Sequence, residues 1–517
     1  MRPYLQIDFP DGTQTWFPIL AERERSGLLA VSPIRRAVAW EGRTAAPEVS
    51  VLIYDADRFL RAYIASRTRD IVGKPCRVVS DYIRFEGIVT AWTPKRGLTF
   101  EIKATDVLSF HLQKQVPIAK VDATTYPNAP AESVGKPLLY PYGILDSAVA
   151  VASHGAYGTF CVDATNNDYF VSALAIETVL RVWRNENGVW RQVPAADYTV
   201  LTNAAGHVVV RVTPYTGGPG AGKEHIRLDV KGIASAGVAI TNPVDIVKHY
   251  LVNLVGVPES ALNADSWNAA RTRAADKGYK AAGVVGMMGA QDASQVLADM
   301  LATFLLEVMP LQDGTIGARI YEPTADPDVE LAVPRDVVDF HIETDFRELA
   351  NILNVQYAPI WGEAGYYLHM EKTDSVSRSI YGDRQRTLNL NWTYDSTTAL
   401  EIARIMLGRL KFPQQRLTVR AGRVVEVGQK VLIQHEDQIS ERSVYAVREA
   451  QVDPITGECE IVAVNVEALA PRNIFILGDK TALPAFWTSA DANQRRYGYL
   501  CDSQTGLFSD GSPGKVL

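Results

Sequence analysis

Apolar residues recur along this chain with a period of two more often than with the 3.6-residue period of a helix, which predicts a protein built mostly of strands. In LTFEIKATDVLSF (98–110), Phe100, Ile102 and Ala104 fall on one face, and Glu101, Lys103 and Thr105 fall on the other. This is the pattern of a half-buried antiparallel strand. EVSVLIYD (48–55) and CRVVSDYIRFEGIVTAWTP (76–94) are also strand-like, rich in β-branched and aromatic residues and broken by turn formers. ETVLRVWRNENGVWRQV (177–193) predicts a hairpin, because Asn187 and Gly188 tolerate the positive φ angles that a two-residue turn needs. TVLTNAAGHVVVRVTP (199–214) and HIRLDVKGI (225–233) continue the strand pattern.

Helical spacing interrupts this pattern in five places. A short helix is predicted over 58–65. Another opens at Asn242 as cap, with Pro243 at the first helical position and Ile246, Val247, Tyr250, Leu251, Leu254 and Val255 on one face. SWNAARTRAADK (266–277) predicts a third, stopped by Gly278. A fourth begins at Asp292 with Gln295 completing a capping box, and it buries Val296, Leu297, Met300, Leu301, Phe304 and Leu305. The fifth covers 397–410, opened by a Thr398–Glu401 box and ended before Pro413.

After the fourth helix, LLEVMPLQDGTIGARIYEP (305–323) predicts a hairpin turning at Asp313–Gly314. DFHIETD and ANILNVQYAPIW are further strand candidates. Four closely spaced strands then follow, QRLTVRA, RVVEVGQKVLIQHE, ERSVYAVREAQVD and ECEIVAVNVEAL, as in a small antiparallel barrel.

The expected fold class is therefore α+β but mainly β: a multidomain chain with two small antiparallel β-barrels flanking a β-rich insertion and a small α+β module. The expected boundaries are 1–115 for the first barrel, 116–240 for the insertion, 241–335 for the helical module and 336–470 for the second barrel with its helix. The stretch 471–517 lacks periodicity and is expected to be an extended arm without a core of its own.

At 517 residues the chain exceeds one ordinary core, which supports this division. Its 47% hydrophobic and 21% charged residues describe a folded globular protein. A net charge of −7 with no block of like charges gives no electrostatic footprint for specific nucleic-acid binding. The first residues lack a signal-peptide pattern and no run of 18 apolar residues occurs, so no membrane anchor is expected. Cys76, Cys161, Cys459 and Cys501 are far apart and form no CxxC pair, so packed free thiols are expected.

Several strings imitate chemical motifs. Gly217–Gly222–Lys223 copies the opening of a P-loop, but Glu224 stands where a magnesium-binding Ser or Thr is needed, and a strand pattern follows where a helix is required. A hairpin tip is expected there. His435–Glu436–Asp437 lacks the second histidine of a zinc-peptidase helix, and YDADRF and DATNNDYF lack the ligand alternation of a calcium loop, so surface turns are expected for all three. There is no GxSxG elbow, no two of the eight histidines lie within a helical turn, and carboxylates are scattered. Trp183 and Trp190 are expected to pack across their hairpin. No residue is singled out as catalytic, cofactor-binding or metal-binding, and no cofactor is expected.

Taken in order, several phrases resemble the hub or tail-tip family of tailed phages. GKPLLYPYG (135–143) resembles the passage after the first barrel of such proteins, and ADYTVLTNAAGHVVVRV resembles their inserted β domain. NPVDIVKHYLVNLVGVPESAL is similar to the helix that follows. VLADMLATFLLEVMPLQDGTIGARIYEP resembles the next helix and hairpin. NILNVQYAP with YGDRQRTLNLNWTYDSTTALEIARIMLGRL resembles the entry to the second barrel. The resemblance spans about residues 40–470. VGQKV (427–431) departs from it, since family members usually place an acidic residue after that glycine. Some relatives from flexible tails carry an iron–sulfur cluster, which the spacing of Cys459 and Cys501 does not support.

The resemblance implies a structural, non-enzymatic subunit of the virion, assembled in the host cytoplasm. Three chains with two barrels each would form a homotrimeric ring matching a six-fold tail tube, with the arm gripping a neighbour. Implied partners are the tail tube or distal tail protein, the tape-measure protein, and central fibre, spike or receptor-binding tip proteins. DNA would pass through the ring without specific binding. The alternatives are a tail-borne cell-wall or polysaccharide hydrolase, which needs a catalytic pair, and a carbohydrate-binding surface protein, which needs aromatics exposed in a groove.

Overall fold

The computed structural model describes residues 3–10, 12–18, 26–38, 44–45, 47–65, 70–149, 154–215, 222–323, 326–333, 335–435, 439–466, 499–500 and 515–516. The chain is mainly β, arranged in several sheets with two barrel-like ones at its sequence extremes.

The first barrel uses β1 (Tyr4–Phe9), β2 (Gly12–Pro18), β3 (Ser26–Val31), β5 (Glu48–Tyr54), β6 (Pro75–Val79), β7 (Arg84–Pro94) and β8 (Thr99–Asp106). It is closed in the order β1-β2-β3-β5-β8-β7-β6, with Leu5 of β1 opposite Val78 of β6. One seam is parallel, between β2 and β3. The predicted alternation in β8 holds for Phe100, Ile102 and Ala104, all buried, but Thr105 is buried as well. The strand pattern was expected to run on through VLSF. Instead Asp106 accepts a hydrogen bond from Ser109 N at 3.0 Å and starts a helical turn, α2 (Val107–His111), after the earlier helix α1 (Phe59–Ala65).

Between β3 and β5 the chain leaves the barrel. Strand β4 (Ile34–Val38) follows β3 after only Ser32 and Pro33. Ser32 holds on to β5, donating N–H to Ser50 O at 2.8 Å and accepting from Ser50 N on Oγ at 2.9 Å. Pro33, which has no N–H to pair, sits where the partner strand changes.

The middle of the chain holds two sheets. One contains β9 (Cys161–Asp163), β10 (Asp168–Ser172), β13 (Tyr198–Thr202) and β14 (Val208–Val212) in the order β9-β10-β14-β13. The other is centred on β15 (Ile226–Ser235), paired with β11 (Ile176–Glu186), which turns at Asn187–Gly188 into β12 (Val189–Gln192). Both turn residues have positive φ, 54° and 89°, as expected. Helix α3 (Pro243–His249) is capped by Asn242 accepting from Val244 N at 3.0 Å, then widens into a π turn to Val255 and ends at Gly256. Helix α4 (Ala264–Asp276) stops before Gly278, and α5 (Ala293–Phe304) buries the predicted face. The Asp292–Gln295 box does not form: Asp292 makes no capping bond, and Gln295 reaches forward to Asp299 at 3.0 Å.

The hairpin β16 (Leu306–Pro310) and β17 (Ile316–Ile320) turns at Asp313–Gly314, and β18 (Val329–Ala332) and β19 (Val337–Asp345) follow. A three-stranded sheet of β20 (Ile352–Pro359), β21 (Tyr366–Thr373) and β22 (Gln385–Leu390), with α6 (Ser375–Tyr381), packs with α7 (Ser396–Leu410) on the central core. The cap of α7 is Asp395, accepting from Thr398 N at 2.8 Å. The expected box fails because Asp395 lies one turn nearer the start and Glu401 pairs with Arg404 instead.

The second barrel-like sheet runs β18-β24-β25-β26-β23-β19, with β23 (Gln414–Ala421), β24 (Lys430–His435), β25 (Ile439–Val452) and β26 (Cys459–Asn465). Among the described residues it is not closed by strand pairing. Its two edges, β18 and β19, are joined through residues 333–336. There Asp336 donates N–H to Ala332 O at 2.7 Å and accepts from Ala332 N at 3.1 Å. The segment expected as an arm lies outside the described residues, apart from Tyr499–Leu500 paired antiparallel with Lys515–Val516.

Strand β4 completes this second sheet. Ile34, Arg35, Arg36 and Ala37 lie opposite Val452, Gln451, Ala450 and Glu449 of β25. Ile34 and Val38 are buried in a core that joins the first barrel and the second sheet. Removing the Ile34 side chain should cost roughly 2–5 kcal/mol. Urea unfolding of Ile34→Ala is expected to show a lower midpoint in probes of both barrels together, whereas a shift confined to one would mean the two are not coupled.

Candidate assembly surface

Three elements meet where the barrels join: β4, the β16–β17 hairpin tip and the loop before β7. Arg84 N donates to Gln312 O at 2.9 Å, and Gln312 N donates to Glu426 Oε1 at 2.6 Å, so the tip bridges both barrels. Arg36 is 5% exposed and donates from Nη2 to Arg84 O at 3.2 Å. Burial lowers its pKa to about 10 against the pull of Glu426 and Asp106. Contact is close enough to require glycine. A Cβ on Gly457 would lie 2.6 Å from the Tyr82 ring, and one on Gly428 would lie 2.8 Å from Met309 Sδ, both at positive φ.

A buried ionic seam runs along the hairpin's other side. Glu307 and Arg448, 6% and 8% exposed, pair directly, and the Arg448 guanidinium lies 5.3 Å from the Tyr321 ring centroid. Arg409 reaches Glu348 at 2.7 Å, and burial lowers its pKa to about 9. Lys430, 1% exposed, donates Nζ to Glu322 O. Burial, with nearby Arg319, lowers its pKa to about 8. Sequence reasoning passed over Lys430, although an ammonium among inward apolar residues of VGQKVLI was a readable signal.

The motif-like strings take structural roles. Glu224 accepts from Tyr215 N at 2.7 Å, Gly222 N donates to Asn167 Oδ1 at 2.7 Å, and the strand β15 follows. Residues 217–221 and 436–438 lie outside the described ones. YDADRF and DATNNDYF are not simply surface turns. Asp55 is fully buried and accepts from Leu60 N and Arg61 N to start α1, while Asn167 and Asp168 are buried, Asp168 clamped by Arg211 at 2.7 Å. Their polar atoms stay inside because they are hydrogen-bonded there: the carboxylates accept from backbone N–H or guanidinium donors, and Asn167 donates Nδ2 to Val212 O at 2.7 Å while Oδ1 accepts from Gly222 N and the Tyr169 hydroxyl.

Trp183 lies opposite Gln192 and Trp190 opposite Asn185, so the two indoles are diagonal. Trp183 Nε1 donates to Asp229 Oδ2 at 2.8 Å, and Trp190 stacks on His154. Asp229, which the sequence did not single out, is fully buried and also accepts from Ser147 N, Ser147 Oγ, Ala156 N and Arg181 Nε at 2.8–2.9 Å. Cys76, Cys161 and Cys459 are buried free thiols; burial pushes the first two up to about 12, which keeps them unreactive. Cys501 lies outside the described residues.

No family model matches the chain, and no curated protein is similar to it. Among solved structures it is similar to the tail protein from Neisseria meningitidis MC58, at 9% identity over 90% of this chain and 97% of that one, TM-score 0.42. It is similar to prophage tail protein gp18 from Listeria monocytogenes EGD-e, at 9% identity over 91% and 96%, TM-score 0.43. It is also similar to a chain of the native gene transfer agent virion, at 14% identity over 71% and 94%, TM-score 0.43. A type VI secretion system component of E. coli, the c3393 protein, is also similar, at 7% identity over 93% of this chain and 86% of that one, TM-score 0.39.

A cleft of about 700 Å³ beside α3 and α4 carries charges already paired with one another, Lys248 with Glu259 and Arg271 with Asp245, each at 2.8 Å. Strand β19 pairs, among the described residues, with β23.

Two measurements probe the seam. Glu307→Gln strands Arg448 in the interior and should destabilise by about 3–5 kcal/mol, while Glu307→Met with Arg448→Met should be close to neutral or stabilising; equal losses in urea titrations would contradict this. Lys430 binds its proton less tightly when folded, so the unfolded state holds more protons between about pH 8 and the usual lysine range. The Lys430 contribution therefore rises across that window, against a falling contribution from Cys76 and Cys161 above about pH 9, so the stability difference between the unaltered protein and Lys430→Met should grow with pH in denaturation curves taken at successive pH values. Above pH 10 the opposite sign takes over, because burial raises Tyr126 and Tyr321 to about 12.

Proposed function

We propose that this chain is a structural, non-enzymatic subunit of a phage tail tip, the baseplate hub. In this reading three copies form a ring joining the six-fold tail tube to a three-fold host-binding tip. The observation that carries it is the coupling of two barrel-like sheets by β4 within one continuous core. A chain that presents two β walls at a fixed spacing turns three copies into six similar faces, which reconciles the two symmetries.

The same reading assigns residues 1–115 and 336–470 to the ring wall, 116–240 and 241–335 to insertions on it, and 471–517 to an arm that grips a neighbour. Partners are the tail tube or distal tail protein, the tape-measure protein and the fibre, spike or receptor-binding proteins of the tip. Its place is the virion tail tip, with assembly in the host cytoplasm. The non-enzymatic assignment is supported by the buried carboxylates Asp55, Asp229 and Glu307, which are engaged by donors of the scaffold itself.

Electron microscopy of the assembled particle, or native mass spectrometry of the purified protein, is expected to count three copies per ring. Rings of two or four would overturn the proposal.

A further inference from the structure

We propose that the cavity between α5 and the loop joining β20 to β21 binds a single neutral sugar residue. None of its lining residues belongs to a barrel strand, and the proposal does not depend on the ring reading above.

The cavity, about 220 Å³, is smaller than the roughly 300–1,000 Å³ of drug-sized sites, which suits one small ligand. Its aromatic lining is Trp361, Trp392 and Tyr366. Trp392 is 3% exposed and meets Trp361 edge to face, ring centroids 5.7 Å apart, whereas Trp361 and Tyr366 are only half-buried. Rings that keep apolar area beside a cavity, next to a few fixed polar groups, are the usual makings of a small-molecule site. The loop is also held in place by the scaffold. Trp361 N donates to Ala156 O at 3.1 Å and Ile360 N to Gly365 O at 3.1 Å, while Arg227, its side chain 3% exposed, donates Nη1 to Glu363 Oε1 at 2.6 Å. Ale358's place in this frame is taken by Ala358, which keeps a φ of 55° with its N–H on Thr393 O at 2.9 Å, a strained conformation that persists only where the surroundings fix it. A site set in this way loses little freedom when a ligand enters.

The polar groups narrow the ligand class. Among the described residues lining the cavity there is no Lys, Arg or His, so an anionic ligand finds no countercharge. The two carboxylates, Asp299 and Glu363, are engaged by Gln295 Nε2 at 3.0 Å and by Arg227, which weakens their pull on a cation. Glu363, 53% exposed, still has acceptor positions beyond the one that Arg227 takes. Tyr366 donates its hydroxyl to Asn391 Oδ1 at 2.6 Å, which leaves Asn391 Nδ2 to donate, and Gln291 adds a second amide. A fitting ligand must donate to a carboxylate, accept from an amide, carry no charge and offer C–H surface to the rings. A pyranose does all four, because each hydroxyl both donates and accepts and the C–H face of the ring lies on aromatic surface.

Saturation-transfer difference NMR on the full-length protein tests this, with the methyl glycosides of glucose, galactose, mannose and N-acetylglucosamine as probes. Transfer to the ring C–H protons of at least one is expected. Tyr366→Phe, which releases the Asn391 amide, and Glu363→Gln should each weaken that binding about tenfold, as befits one lost hydrogen bond. Lys248→Gln, in the separate cleft beside α3, should leave it unchanged. If Glu363→Gln lowers the thermal midpoint by loosening Arg227, Tyr366→Phe carries the test. No transfer to any of the four probes would overturn the proposal, as would transfer that both variants leave intact, which would put the sugar elsewhere. Tetramethylammonium is expected not to displace the sugar; preferential binding of that cation would make the cavity a cation site and also overturn the proposal. None of these outcomes bears on the three-copy ring.

Discussion

The backbone polar groups of β4 find their partners in a sheet other than the one its preceding strand belongs to, and the rest of the structure follows from that. Val31 is paired with Val51 in the first barrel, and Ile34, three residues on, is paired with Val452 in the second sheet. A buried strand cannot leave its N–H and C=O groups unmatched. Moving one barrel relative to the other would therefore break a ladder and open a shared core together. Parts at the two ends of the sequence are held as one piece without a linker between them.

Electrostatics reinforce the same joint. Charges are admitted to the interior where elements meet: Arg36 under the hairpin tip, Glu307 with Arg448 beneath it, Lys430 against Glu322 O, and Asp229 between the loop before β9 and the β11–β15 pair. Each is worth little as net stability once its desolvation is counted, but each penalises any other arrangement, because a displaced partner would leave a charge buried alone. Their chemistry is already spent on holding geometry.

What the two barrels do with their edges separates them. Closure of the first leaves a finished wall. In the second, among the described residues, the two edge strands are joined by the hydrogen bonds of Asp336 with Ala332 and not by a strand pair.

Much of the local structure was readable from the sequence alone. The hairpins at Asn187–Gly188 and Asp313–Gly314, the Asn242–Pro243 helix start and the stop at Gly278 all rest on dihedral preferences of single residues, which no distant contact overrides. Capping was less secure, because Asp292, Gln295, Asp395 and Thr398 offer competing oxygens within one turn and packing chooses among them. The burial of Asp55 and Asp229, the inward Lys430 and the passage of β4 into the second sheet were decided only in three dimensions. Each depends on a partner tens to hundreds of residues away or on closure of a whole sheet, and alternation along a strand records which face is apolar but not which strand, or which chain, comes to lie beside it.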